Sequence, residues 1–213
     1  MKAVIDYKFD WRAMGWNGYV PIAIIIFVAV YSFFANNDFR LLVSIHEVLL
    51  PVFAAWWSVF MFQDILEEEG SEVIFSYPVS RWRLGIERVV MFLCLYLLLI
   101  VIESLYMFWI SGTNWTVNLI QYSSQSFFYA CLGFLLMAIL RNCSWAILVI
   151  ASYASFQILT RGNIFPISSI YFFDVREPTL SAMAGKLLII IIMGVVMLLI
   201  SQYILGRTEK YNE

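Results

Sequence analysis

The sequence predicts an all-α integral membrane protein that crosses the bilayer with six transmembrane helices, and three observations carry the prediction. Of its 213 residues, 62% are hydrophobic, 18% aromatic and only 13% charged, with mean hydropathy +0.83; soluble domains carry about 25% charged residues. Six apolar stretches approach the roughly 20 residues that a helix needs to cross a bilayer. The third observation is a charged insert between the second and third stretches, in a chain that otherwise avoids charge.

The chain reads as a single transmembrane domain over 1–213, and its elements follow in order. In residues 2–16, Val4, Ile5, Phe9, Trp11 and Trp16 mix with Lys2, Lys8 and Arg12. That mixture predicts an interfacial helix along the inner leaflet, basic groups near anionic headgroups and aromatics at the boundary. Its period is imperfect, so an unstructured basic tail is the alternative. Five charges precede the first long apolar run, unlike a cleavable signal peptide, so the first span is expected to stay as a signal anchor.

The six span cores are Tyr19–Ala35, Val48–Phe62, Val89–Ile110, Phe127–Leu140, Trp145–Leu159 and Leu187–Leu205. The second and fourth are short. Leu41–Glu47 and Gln121–Ser126 extend them, provided their polar groups face protein rather than lipid. Residues 161–185 are too apolar for a free loop and too short to cross twice. They predict an external re-entrant segment that dips into the leaflet or caps the bundle, a plain aromatic-belt loop being the alternative. Cys94, Cys131 and Cys143 lack CxxC spacing and read as small buried hydrophobes rather than as a disulfide frame or zinc site.

Six spans put both termini on one side. Nine of the 13 Lys and Arg residues fall on that side, whereas Arg40, Arg161, Arg176 and Lys186 fall on the other. The positive-inside rule then predicts a plasma (inner) membrane protein with both termini in the cytoplasm. No basic tract suggests a nucleic-acid partner.

The insert, residues 64–83, therefore lies in the cytoplasm. Glu67, Glu68, Glu69 and Glu72 supply carboxylates, while Leu66, Gly70, Val73 and Tyr77 are spaced as one helix face. Pro78 has no backbone donor and restricts Tyr77, so a helix of about three turns should stop there. Arg81, Arg83 and Arg88 are expected to hold its exit at the headgroups. A solvated acidic loop is the alternative, though it gains nothing from an apolar stripe.

No P-loop, dinucleotide, zinc-protease or serine-hydrolase motif occurs, so no enzyme activity, cofactor or metal is expected in this chain. The sole histidine, His46, sits beside Glu47 near the outer end of the second span and reads as interfacial. Glu103 differs, because a carboxylate inside a span costs about 2.5–3.5 kcal/mol and must face the bundle, a wet cavity or carry a proton. Glu103, with Gln125 and Ser126 on the next span, is a candidate for a transport path. A structural hydrogen bond to those residues, or near Ser104, is the other reading.

The run Glu67-Glu68-Glu69-Gly70-Ser71-Glu72 followed by Ser76-Tyr77-Pro78-Val79-Ser80-Arg81-Trp82-Arg83 resembles the acidic coupling helix and its exit in permease subunits of type-2 ATP-binding-cassette (ABC) exporters. The order of elements is similar too, but only Glu67–Arg83 is specific. The resemblance implies that Glu67, Glu68, Glu69, Gly70, Ser71 and Glu72 meet a separate ATPase subunit, with Val73, Phe75 and Tyr77 as candidate anchors. It also implies ATP and magnesium on that partner, a second permease subunit that is identical or different, and surrounding membrane lipid. The expected function is export of an amphipathic cargo, such as a peptide, antibiotic or lipid-like molecule. Two other classes stand beside it, an intramembrane enzyme using Glu103 and a membrane immunity or anchor protein that moves nothing.

Overall fold

A computed structural model describes residues 7–34, 39–68, 80–161, 170–172 and 180–207. Every regular element among them is helical: α1 (Tyr7–Met14), a 3₁₀ turn (Gly15–Tyr19), α2 (Val20–Phe34), α3 (Phe39–Phe60), the short α4 (Gln63–Leu66), a π turn (Arg83–Glu87), α5 (Arg88–Ser111), α6 (Trp115–Leu140), α7 (Cys143–Thr160) and α8 (Leu180–Arg207). Among the described residues six stretches are long and apolar enough to cross a membrane, and each overlaps one of the six predicted cores, the first starting earlier, at Phe9, within the predicted interfacial segment. The chain is a multi-pass membrane protein.

Local chemistry sets the boundaries. Gly112, at φ 67°, closes α5 in the left-handed region, and Asn114 caps α6 by accepting from the Thr116 amide at 3.2 Å. Arg141, at φ 49°, ends α6, and Asn142 opens α7 by accepting from the Trp145 amide at 3.0 Å. Two residues thus suffice for the α6–α7 turn. Pro51 lies inside α3; its missing N–H leaves the carbonyl of Glu47, one turn earlier, without its helical donor.

α6 is the axis of the bundle, packed against α3, α5, α7 and α8. Within the most apolar window of each span, 61% of residues are buried in α6 and 56% in α3, against 22–33% in the other four. Helices α3 and α6 approach closely because Gly133 has no side chain. A Cβ there would lie 2.4 Å from Ser58 Oγ and 2.9 Å from the Ala55 carbonyl oxygen. Trp57, Phe62, Tyr96, Tyr122, Tyr129 and Phe134 fill the seam, with Phe62 stacked on Phe134 at 4.5 Å.

The extensions of the short spans hold. His46, Glu47, Gln121, Ser124, Gln125 and Ser126 are all buried among helices rather than turned to lipid. Four expectations need correction. His46 is not interfacial but fully buried, because Glu103 and Ser32 supply polar partners inside the bundle. Arg88 is not at the headgroups; it is buried against Asp10 and Asp64. Cys94 is exposed, while Cys131 and Cys143 are buried as expected. Leu180–Gly185, assigned to the external segment, are the first turns of α8.

Residues 7–14 of the predicted interfacial segment are helical. They dock on the bundle, with the Trp11 ring edge-on to Trp57 at 5.7 Å and stacked on Phe92 at 6.4 Å. Phe9 on α1 and Trp16 in the 3₁₀ turn face outward. Most of the external segment lies outside the described residues. Ile170 and Tyr171, however, are completely buried in the bundle.

Candidate functional site

Two polar constellations lie at opposite ends of the bundle, here called the Arg88 end and the Glu103 end. At the Arg88 end, the chain on either side of 69–79 is fastened to other helices. Asp64 on α4 and Asp10 on α1 both meet the Arg88 guanidinium, Asp64 at 3.6 Å, and Arg88 also donates to the Met61 carbonyl at 3.4 Å. One buried cation thereby joins α1, the end of α3, α4 and α5. Burial raises the Asp64 carboxyl above its usual range, and the Arg88 charge opposes that shift. Trp57 Nε1 donates to the Gly18 carbonyl at 2.9 Å, adding a second tie between the N-terminal segment and α3.

Three residues further on, Glu67 turns inward. Its carboxylate accepts from Asn142 Nδ2 and from the Cys143 amide, each at 3.0 Å, and so sits on the N-terminus of α7. That is where unpaired amides and the helix dipole favour a negative group. Glu67 is therefore bonded within its own chain, whereas Glu68 is exposed. The remaining predicted contact residues, Glu69, Gly70, Ser71, Glu72, Val73, Phe75 and Tyr77, lie outside the described residues.

The exit is held by α8. Gln202 accepts from the Ile86 amide at 3.1 Å and donates to the Arg81 carbonyl at 3.0 Å. Both bonds straddle the π turn, where the wider helical register leaves backbone groups for a side chain to claim. Gly85 makes room, since a Cβ there would stand 2.1 Å from Gln202 Oε1. Arg83 pairs with Glu87 at 3.8 Å on the half-exposed surface, a contact worth little by itself.

At the Glu103 end, adjacent residues on α3 serve two groups, because consecutive helical side chains diverge by about 100°. His46 Nε2 lies 2.9 Å from Glu103 Oε1 on α5 and 3.3 Å from Ser32 Oγ on α2, while its Nδ1 lies 2.8 Å from the Leu42 carbonyl. Glu47 Oε1 accepts from Gln121 at 3.0 Å, from Gln125 at 3.1 Å and from the Phe172 amide. Gln125 also donates to the Ile170 carbonyl at 2.8 Å, Lys186 to the Tyr171 carbonyl, and the Tyr129 and Tyr171 hydroxyls meet at 2.6 Å. Residues 170–172 are thus fastened to α3, α6 and α8.

Of the three residues proposed to share a transport path, Glu103 is joined to His46, and Gln125 to Glu47 instead. The Ser126 hydroxyl is buried with no hydrogen-bond partner among the described residues. No group of three metal-ligating side chains is present among the described residues. Ser32, Asp10 and Gln202 carry bonds that the sequence alone gave no reason to select.

Fold and sites together define a six-span membrane protein with buried polar ties toward both ends. Comparison with protein-family models, with curated proteins and with solved structures finds no match, so its function is argued from its own geometry.

Proposed function

We propose that this chain is the permease half of an ABC transporter of the type-2 exporter class, working in the plasma membrane with both termini, and the Arg88 end, in the cytoplasm. It pairs with a second permease subunit and with ATPase subunits that bind ATP and magnesium. The cargo is amphipathic, a peptide, an antibiotic or a lipid-like molecule.

The observation that carries this reading is that the acidic segment is fastened on both sides to different helices. Asp64 and Glu67 tie its start to α1, α5 and α7, and Gln202 ties its exit to α8. A solvated loop requires no such bonds. A segment that receives force from a partner does, because displacement at 69–79 is then passed to the spans as rigid bodies rather than lost in a slack connection. Carboxylates such as Glu68 suit a basic partner surface and set its register. An intramembrane enzyme or a passive anchor gives the clamp no task.

The test is co-purification of the full chain with an ATP-hydrolysing subunit, followed by ATPase assays in lipid nanodiscs. The expected result is a complex whose ATPase rate falls in Glu69→Ala and Gly70→Ala variants while each subunit remains folded. A complex and rate unchanged by both substitutions would remove the coupling role.

A further inference from the structure

We propose that Ser32, His46 and Glu103 form a proton-binding site that links α2, α3 and α5 in its one-proton state and releases that link on taking up a second proton. His46 Nδ1 faces the Leu42 carbonyl oxygen at 2.8 Å, and a carbonyl only accepts, so Nδ1 carries a hydrogen. Nε2 faces Glu103 Oε1 at 2.9 Å, so one proton lies between them. The Ser32 hydroxyl gives its own hydrogen to the Val28 carbonyl at 2.7 Å, which leaves its oxygen, 3.3 Å from Nε2, as an acceptor. Nδ1–H is thus satisfied by the Leu42 carbonyl, and Nε2 and Oε1 share a single proton with the Ser32 oxygen beside them.

With one proton shared between Nε2 and Oε1 the pair is net neutral, and both side chains are at most 3% exposed. A second proton leaves both partners fully protonated, an imidazolium facing a carboxylic acid. The charge of the site rises from zero to plus one. The charge-assisted bond weakens to an ion–dipole contact, and His46 is left as a buried cation without a counterion, an arrangement costly enough to draw in water or part the helices.

The other groups facing the site do not replace that counterion. Tyr122 on α6 stacks on the His46 ring at 6.1 Å, and its buried hydroxyl has no hydrogen-bond partner among the described residues. The Ser104 hydroxyl beside Glu103 is likewise buried without a partner among the described residues. Glu47, next along α3, is committed to Gln121, Gln125 and Phe172. Lys186 on α8 reaches the Tyr171 carbonyl and the Phe172 ring instead. The proposal stands apart from the ATPase reading, since it needs only this chain.

The experiment is infrared difference spectroscopy of the full-length chain in lipid nanodiscs, titrated downward from about pH 8 through the ordinary carboxyl range to about pH 4. The expected result is gain of a protonated-carboxyl band and loss of a carboxylate band on acidification, both absent in Glu103→Gln and both moved to a different pH in His46→Gln. A second readout uses spin labels at the exposed Phe34 on α2 and Trp109 on α5. Their separation should widen on acidification in the otherwise unaltered chain and be insensitive to pH in Glu103→Gln. Bands that survive Glu103→Gln but vanish in Glu47→Gln would assign the proton to Glu47 and overturn the proposal. A label distance independent of pH in the unaltered chain would overturn the release step even if the variants failed to fold.

Discussion

Arg88 is the residue whose removal the structure prices most sharply. It is 6% exposed and pairs with Asp10, itself 4% exposed, while Asp64 stands at 3.6 Å. Arg88→Met fills much of the same volume but strands the Asp10 charge in a buried site, which costs about 3–5 kcal/mol. For a chain of this size that corresponds to a fall in melting temperature of roughly 6–20 °C. The assay is a thiol-reactive fluorophore melt in detergent. Cys131 and Cys143 are buried and report unfolding, while the exposed Cys94 is first changed to Ala to remove background. Adding Asp10→Asn to Arg88→Met should recover most of the loss, because the more deeply buried of the two stranded carboxylates is removed and only the part-buried Asp64 is left without its cation. A single variant that melts within about 2 °C of the parent, or a double variant that melts no higher than the single, would refute the buried-pair account.

Three further outcomes follow from the geometry. Gly133→Ala puts a methyl against Ser58 Oγ and the Ala55 carbonyl, so the same melt should show a loss of about 1–3 kcal/mol from overpacking. Glu67→Ala removes the acceptor of the Cys143 amide at the start of α7, where Asn142 remains as the cap, and should cost about 0.5–2 kcal/mol, whereas Glu68→Ala, exposed, should stay within about 0.5 kcal/mol of the parent; equal effects would contradict the Glu67 contact. Asp64 is held above its ordinary value of 3.8, so its contribution to stability is full below that value and is lost as pH rises through the raised one. Asp64→Asn should therefore be more stable than the parent near neutral pH, and the advantage should shrink on acidification in melts run across pH.

The spans were legible in the sequence because a bilayer imposes a length, and the six apolar stretches satisfy it without reference to any neighbour. The polar extensions at Leu41–Glu47 and Gln121–Ser126 were legible for a related reason. Their groups had to face protein if the short cores were to cross, and the buried His46, Glu47, Gln121 and Gln125 do so. Glu103 could be singled out by its cost, but its partner could not. His46 is 57 residues away, and a hydropathy profile carries no information about which helix faces meet. Position near a span end made Arg88 look like a headgroup anchor. Only the docking of α1 through Trp11 brings Asp10 over it and makes burial tolerable. Gln202 gave no signal in its own neighbourhood, since its role depends on the room left by Gly85, 117 positions earlier by the two residue numbers.

The central claim, that the acidic segment receives an ATPase, is tested most directly by photo-cross-linking in the native membrane. A photoreactive amino acid is placed at Glu68, beside the segment, and separately at Trp109, exposed at the opposite end of α5. The account predicts an adduct at Glu68 whose partner is identified by mass spectrometry as an ATP-binding-cassette subunit, with no such adduct at Trp109. An ATPase adduct at Trp109 alone, or no ATPase adduct at Glu68 when the chain is intact and the subunit is present, would contradict it.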